Sequence, residues 1–598
     1  MIIVGVNFSH DSSIAIIKDN KLIAAIEEEK LSRIKQDKGW PLFAIKRLFS
    51  EHSIKKNEVD FVVFDKEVPK NLGKFEILFR FTKKRYFKWM EIFSRIFSYF
   101  LNIQRIDEEQ NKKLISNLVK SSGFDSAECI FLNHHLAHAA SVYYTSPFKC
   151  DLVLTADGHG GEDAINYYNF NENKLKCIHS NNYTTSVGAF YSAITEILGF
   201  RPNRHEGKIT GLAAYGKETE LVEKFRNLFR YNNRNQLERF PFDLNTYWND
   251  NKVMYGLSLT KKINLNSSSS NLEKDFAMRY LCLIREIKNN IQNHSSEDIA
   301  YACQKISEEV ILNDMCKVLE KNEMNNVKIG LAGGVFANVR INQKIYENNK
   351  ISNIFVQPAM GDSGLALGLA LITSFNNNLC SLEAFKFENT YLGPDFSSDL
   401  KLFVSKFRDH NIKVNKMINP GKEVANLLAD NKIVGLWTGK MEWGPRALGS
   451  RSIILNTFDK NVNDSLNQRL NRTEFMPFAP AVLDSYAKKY FPKYDFSVPA
   501  ADYMTMTYDT NPKYKNILQA TVHIDGTARP QIVYEDKSPL YYNIIKEFSK
   551  ISNCGAIVNT SFNAHEEPIL SSPETAINAL KNKRVDFLVM DDHLFELK

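Results

Sequence analysis

One pattern occurs twice in this chain, and it limits the fold more than any other feature. Residues 2–8, 13–18 and 22–27 read as three short β-strands joined by tight turns, and the first turn carries His10 and Asp11. The pattern returns at Asp151, where LVLTA leads into a turn over 157–163, then AINYYNF, a turn at 172–174, and LKCIHS. Two meanders that each open on an acid-bearing turn predict a duplicated α/β unit with a ligand cleft between its copies.

That pattern matches a duplicated ribonuclease-H-like unit, the architecture of the actin and sugar-kinase superfold. A helical stretch is expected over 296–321, and the turn Gly393–Pro394 marks the passage to a second α/β domain. The resulting plan is a first domain over 1–375, a linker over 376–394 and a second domain over 395–598. Insertions are expected near 68–125 and 220–300. The basic, aromatic segment 68–102 reads as a helical insertion with aromatic residues inside and lysines in solvent.

At 598 residues with 43% hydrophobic and 24% charged side chains, the chain excludes disordered and fibrous classes. No apolar run reaches the ~20 residues of a membrane span. The first residues lack a basic, then apolar, leader pattern, so a cytoplasmic protein is expected. A net charge of +7 is small for this length and predicts no nucleic-acid partner. The eight cysteines form no CxxC pair, which excludes a cysteine zinc site.

The segment NHHLAHAAS places His134 and His138 four residues apart, on one face of a helix. Asp157 in TADGHGG and Asp362 in QPAMGDSG complete a mixed nitrogen and oxygen set, suited to iron, with manganese or zinc as alternatives. LAGGVFANVRIN follows a predicted strand. Its Gly333 and Gly334 let backbone N–H groups approach a phosphate, with Asn338 alongside. Glu206 and Lys208 in HEGKITGLAAYG form a second nucleotide edge. His10 is a candidate general base for a hydroxyl, and Lys35 a candidate for neutralising developing charge. Farther on, Arg446, Arg451, Arg472 and Arg529 each lie in a turn, and Asn559 and Ser561 end a buried strand. Together they suggest an anion pocket.

Taken in order, NFSHDSS, EEEKLSRIKQDKGWP, NHHLAHAAS, TADGHGG, EGKITGLAAYG, LAGGVFANVRIN, GDSGLALG, MEWGPRALGSRS, HIDGTARPQ and NTSFN resemble the NodU/CmcH family of O-carbamoyltransferases. The resemblance implies a C-terminal YrdC-like domain that makes carbamoyl-adenylate from ATP, with magnesium, and carbamoyl phosphate. It implies that the N-terminal domain passes the carbamoyl group to a hydroxyl of a small molecule or sugar. His134, His138, Asp157 and Asp362 would then be the metal ligands, His10 and Lys35 transfer residues, and Arg529 and Ser561 adenylation-site residues.

The chain departs from the family pattern at Leu470, where a lysine is usual, and at Met476, where a second arginine is usual. Glu566 stands in place of a glycine. These changes predict the loss of two phosphate-facing cations, with Arg469 as a substitute. They leave open a different acyl or amidine-type donor, or a non-catalytic nucleotide- and metal-binding protein. A homodimer is compatible with the sequence.

Overall fold

The computed structural model describes residues 1–67, 77–78, 80–81, 108–231, 237–239, 271–377, 385, 387–473 and 475–598. Most of the basic, aromatic segment 68–102, and residues 232–236 and 240–270 of the insertion expected near 220–300, lie outside the described residues. Among the described residues, no helix is long and apolar enough to cross a membrane.

Strands β1 (Ile2–Asn7), β2 (Ser13–Lys18) and β3 (Lys21–Glu27) form the first meander, and β4 (Phe61–Asp65) and β5 (Glu128–Leu132) extend its sheet. The order is β3-β2-β1-β4-β5, antiparallel on the meander side and parallel from β1 to β5. Every residue of β1 is buried, as a central strand covered on both faces requires.

The second meander is β6 (Leu152–Gly160), β7 (Asp163–Asn171) and β8 (Lys174–Asn182). After the small pair β9 (Phe229–Tyr231) and β10 (Leu237–Arg239), strands β11 (Val327–Ala332) and β12 (Ile351–Val356) join it. Its order, β12-β11-β6-β7-β8, repeats the plan of the first sheet.

The turn expected over 157–163 is shorter than the sequence suggests, because β6 continues to Gly160. Its pairing with β7 is irregular between Ala156 and Gly160. Such an irregularity re-aims side chains locally, and Asp157 lies in it.

The helix Leu365–Asn376 packs on the first sheet so closely that a Cβ on Gly5 would lie 1.9 Å from the Ala366 carbonyl oxygen. A Cβ on Gly368 would lie 1.8 Å from the Ala137 carbonyl oxygen, so the helix His134–Tyr143 is held equally close.

The C-terminal half is built on a mixed eight-stranded sheet. Its strands are β13 (Ile412–Lys416), β14 (Val434–Trp437), β15 (Arg451–Leu455), β16 (Ala479–Leu483), β19 (Gln531–Val533), β20 (Ala556–Ser561), β21 (Phe587–Met590) and β22 (His593–Leu597), with β17 (Tyr508–Asp509) and β18 (Thr527–Ala528) paired apart from it. The order is β13-β22-β21-β14-β15-β20-β16-β19.

The two halves are joined through buried polar contacts. Lys30, 1% exposed, donates to the carbonyls of Glu442 (2.7 Å) and Gly444 (2.8 Å) and pairs with Glu27 at 2.8 Å. Glu27 in turn accepts the Gly444 N–H at 2.7 Å. Arg33 donates to the carbonyls of Ile569 and Pro568. Each buried charge thus has its partners, without which its burial would be strongly unfavourable.

Candidate active site

The metal-ligand candidates come together. Asn133 caps the helix His134–Tyr143 by accepting the Leu136 N–H at 2.9 Å, so the helix starts at His134 and turns both imidazoles to one side. Asp362 opens a short turn just before the helix Leu365–Asn376. His138 Nε2 lies 3.2 Å from Asp157 Oδ2 and 3.6 Å from Asp362 Oδ1, and His134 Nε2 lies 3.9 and 3.7 Å from the same two atoms.

One donor atom from each of the four residues falls within 4.8 Å of the others. His134 Nε2 and His138 Nε2 are buried without a hydrogen-bond partner, as atoms aimed at a cation would be. The residues therefore fit a divalent transition metal of the iron, manganese or zinc type. Burial disfavours charge on His134, yet the surrounding Asp65, Asp157 and Asp362 carboxylates outweigh it and raise its pKa well above the usual value. Burial also opposes charge on Asp157, but His134 and His138 hold its carboxyl well below the usual range.

A second layer orients these side chains. His134 Nδ1 is 2.7 Å from Asp65 Oδ2 at the end of β4, and Asp65 is 3% exposed. The N–H groups of Gly158 (2.7 Å) and Gly334 (3.2 Å) donate to the Asp157 carboxylate. His10 Nε2 is 3.3 Å from Asp362 Oδ2, and its Nδ1 is 3.2 Å from Asp11. His10 therefore stands at the rim of the cluster, its side chain 61% exposed.

The third histidine of the helix is different. Burial and the neighbouring His134 and His138 push the pKa of His135 down to about 3. Its ring is occupied by Thr155 Oγ1 and the Asp163 carbonyl.

Between the two halves lie two adjoining cavities. The larger, about 320 Å³, takes Lys35, Arg204, His205 and Ala337 from the N-terminal half and Arg446, Arg472, Arg529, Asn559, Ser561 and Glu566 from the C-terminal half, among others. The smaller, about 300 Å³, has Tyr301, Gln304, Lys305, Glu308 and Arg340 on one side and His523 and Asp525 on the other. Thr210, Met476, Pro477 and Arg529 line both.

The other predicted residues divide into cavity linings and supports. Lys35 faces the larger cavity while paired with Glu29 at 2.6 Å. Arg472 reaches Thr560, Ser561 and Asn563, so it shapes the end of β20 at the cavity wall. Asn559 donates to the Ala447 carbonyl and to Gln531. Lys208 in the N-terminal half donates to Thr473 in the C-terminal half at 2.6 Å. Glu206 accepts from Ser192 and from the Asn203 N–H. Asn338 caps the helix Val339–Tyr346 and pairs with Gln304. A Cβ on Gly333 would lie 2.2 Å from the Ala156 carbonyl oxygen, and its φ of +105° suits glycine.

Three expectations need correction. Arg451 does not reach the cavity: it is fully buried, donates to the carbonyls of Thr438, Gly439 and Ser450, and lies 4.1 Å over the Trp437 ring. Leu470 is fully buried in the apolar core, so a lysine there would place an ammonium among hydrocarbons rather than before a phosphate. Arg469 cannot substitute from where it stands, since it pairs with Asp586 at 2.7 Å on the surface. Sequence reasoning also missed Asp65, Arg204 and the polar face of the helix Ser296–Lys321, none of which belongs to a motif with a chemical signature.

The chain is similar to known proteins along most of its length. Residues 2–371 match the profile described as carbamoyltransferase N-terminus, and residues 425–597 the one described as carbamoyltransferase C-terminus. An uncharacterised protein of Synechocystis is 30% identical, covering 98% of this chain and 95% of its own length. The nodulation protein NolNO of Sinorhizobium fredii is 27% identical over 98% of this chain and 79% of its own. Nodulation protein U of Rhizobium tropici is 24% identical over 94% and 91%. With both profiles matched in order along one chain, and a histidine–aspartate cluster and a cation-lined cavity built from their residues, this protein belongs to the carbamoyltransferase family.

Proposed function

We propose that the enzyme is an ATP-dependent O-carbamoyltransferase working in two stages at two connected sites. The observation that carries this is the turn Gly334–Ala337. At one end the Gly334 N–H donates to Asp157 of the histidine–aspartate cluster, and at the other Ala337 lines the larger cavity. A product formed in the cavity would have about the length of this turn to cross to reach the cluster.

In the first stage, carbamoyl phosphate and magnesium-bound ATP enter the cavity. Water splits carbamoyl phosphate into carbamate and inorganic phosphate. A carbamate oxygen then bonds to the α-phosphorus of ATP as the bond to pyrophosphate breaks, leaving carbamoyl-adenylate. Arg446, Arg472 and Arg529 line that cavity and suit the planar recognition of phosphate oxygens. Asn559 and Ser561 supply neutral polar contacts on the same wall. Domains over 1–375 and 395–598 joined by a linker, the first a duplicated ribonuclease-H-like unit and the second YrdC-like, are the frame this reading requires.

In the second stage, a hydroxyl of a small-molecule or sugar acceptor forms a bond to the carbamoyl carbon while the bond to AMP breaks. Burial opposes charge on His10, but Asp362 and Asp11 hold the ring and raise its pKa to about 9. It therefore takes the hydroxyl proton at a ring nitrogen only in its neutral form, which grows as pH rises towards 9. Lys35 offsets negative charge that develops on the reacting group. A metal held by His134, His138, Asp157 and Asp362, iron or alternatively manganese or zinc, would anchor and polarise the adenylate phosphate.

The test is pyrophosphate release from ATP by the purified protein. Release only with carbamoyl phosphate present is the expected result. No release from folded, metal-loaded protein would reject the first stage and turn attention to a different acyl donor.

A further inference from the structure

The loop after β20 carries Glu566 in the left-handed region, with φ +64°, a conformation uncommon for a residue with a side chain. Backbone strain of this kind persists where surrounding contacts enforce it and often marks function. The loop backbone is held within its own half, where the His565 N–H donates to the Leu470 carbonyl and the Glu567 N–H to the Ala564 carbonyl. His565 Nε2 lies 3.8 Å from Glu566 Oε1, and the closer grips on the Glu566 carboxylate come from the opposite half of the protein. Arg204 Nη2 lies 2.7 Å from Glu566 Oε2, His205 Nε2 lies 2.9 Å from Oε1, and Arg201 follows at 3.7 Å. Arg204, His205 and Glu566 all line the larger cavity. Arg204 is 8% exposed and Glu566 39%, so the carboxylate sits at the open side of the grip.

His205, His565 and Glu566 also lie close enough to suggest a second metal site. The hydrogen bonding of His205 argues against it. The Arg201 N–H donates to His205 Nδ1, so Nδ1 offers its lone pair and the ring proton resides on Nε2, pointing at Glu566. A metal would need that Nε2 lone pair. The adjacent guanidinium of Arg204 further disfavours a cation.

We propose that Glu566 is a specificity-determining residue: its carboxylate occupies Arg204 and His205 as an internal stand-in for an anionic substrate group of phosphate type, which must displace it to bind there. The proposal rests on the reading of this cavity as an anion site. The same carboxylate ties the two halves together across the cavity, so displacement also releases that tie. A neutral ligand gains nothing from the exchange, and the residue therefore favours ligands bearing a phosphate or a similarly compact anion.

The experiment is calorimetric titration of the full-length protein with inorganic phosphate. It compares the unsubstituted chain with Glu566→Gln, Glu566→Gly and the double variant Arg204→Ala/Glu566→Gln. Loss of the competing carboxylate should tighten phosphate binding about tenfold in both single variants, and the double variant should lose that gain. Glu566→Gly also removes the left-handed strain, so agreement between the two single variants separates the charge effect from a backbone effect. Binding by the unsubstituted chain with equal or weaker binding by Glu566→Gln would overturn the proposal and leave the anion-site reading standing. No phosphate binding by any of the four proteins would overturn both.

Discussion

The histidine–aspartate cluster and the arginine-lined cavity solve the problem of placing charge in opposite ways. In the cluster, the buried groups answer one another: His134 leans on Asp65, Asp157 takes two backbone N–H groups, and Asp362 faces His10. The inward Nε2 atoms are left for a ligand. In the cavity, like charges gather, and several of the cations are tied to protein partners. Lys35 is held by Glu29, Arg204 by Glu566, and Arg472 by the end of β20. A rigid cluster suits a resident ion, whereas substrates that come and go are better served by cations with exchangeable partners.

The largest effect should come from breaking the cluster itself. His138→Ala removes one of four donors and should lower the affinity for a divalent transition metal by at least about a thousandfold, read by metal titration of the stripped protein. Retained stoichiometric binding would dissolve the contrast between the two regions.

Next comes the arginine that serves structure alone. Arg451→Met leaves the carbonyls of Thr438, Gly439 and Ser450 without their buried donor. It should reduce stability by about 3 kcal/mol in denaturant unfolding, while phosphate binding by the folded fraction is unchanged. A selective loss of phosphate binding would return Arg451 to the anion site.

Asp65→Asn is subtler because it keeps the shape and alters only the partner of His134 Nδ1. Metal affinity should fall about 10–100-fold, with the fold intact by circular dichroism. An unchanged affinity would show that helix packing alone orients His134. The smallest effect is expected at Arg469→Ala, where only a surface pair with Asp586 is lost. Stability should drop by less than about 1 kcal/mol, and phosphate affinity should not move.

These residues also show how far the sequence could be read. The two meanders, the helix Ser296–Lys321 and the four cluster residues announce themselves through alternation, periodicity and helical spacing. An arginine in a turn is different: nothing local distinguishes Arg529, which lines both cavities, from Arg451, which clamps carbonyls. That difference arises only when distant strands meet. Asp65 is illegible for the same reason, since the histidine it orients lies 69 positions away. Leu470 shows the converse: a family pattern aligned to the wrong environment mistakes a core leucine for a missing cation.

The cradle around Lys30 has a consequence for how such a chain can change over generations. Lys30 stands in the short helix Glu28–Ser32 that follows the first meander, but two of its three acceptors are carbonyls more than 400 positions downstream. A recombination that exchanged the C-terminal half for one with a different loop at 442–444 would strand that charge in a dry interface. The two halves therefore constrain each other at this seam: a change in the 442–444 loop is tolerated only if it keeps two carbonyls in reach of Lys30.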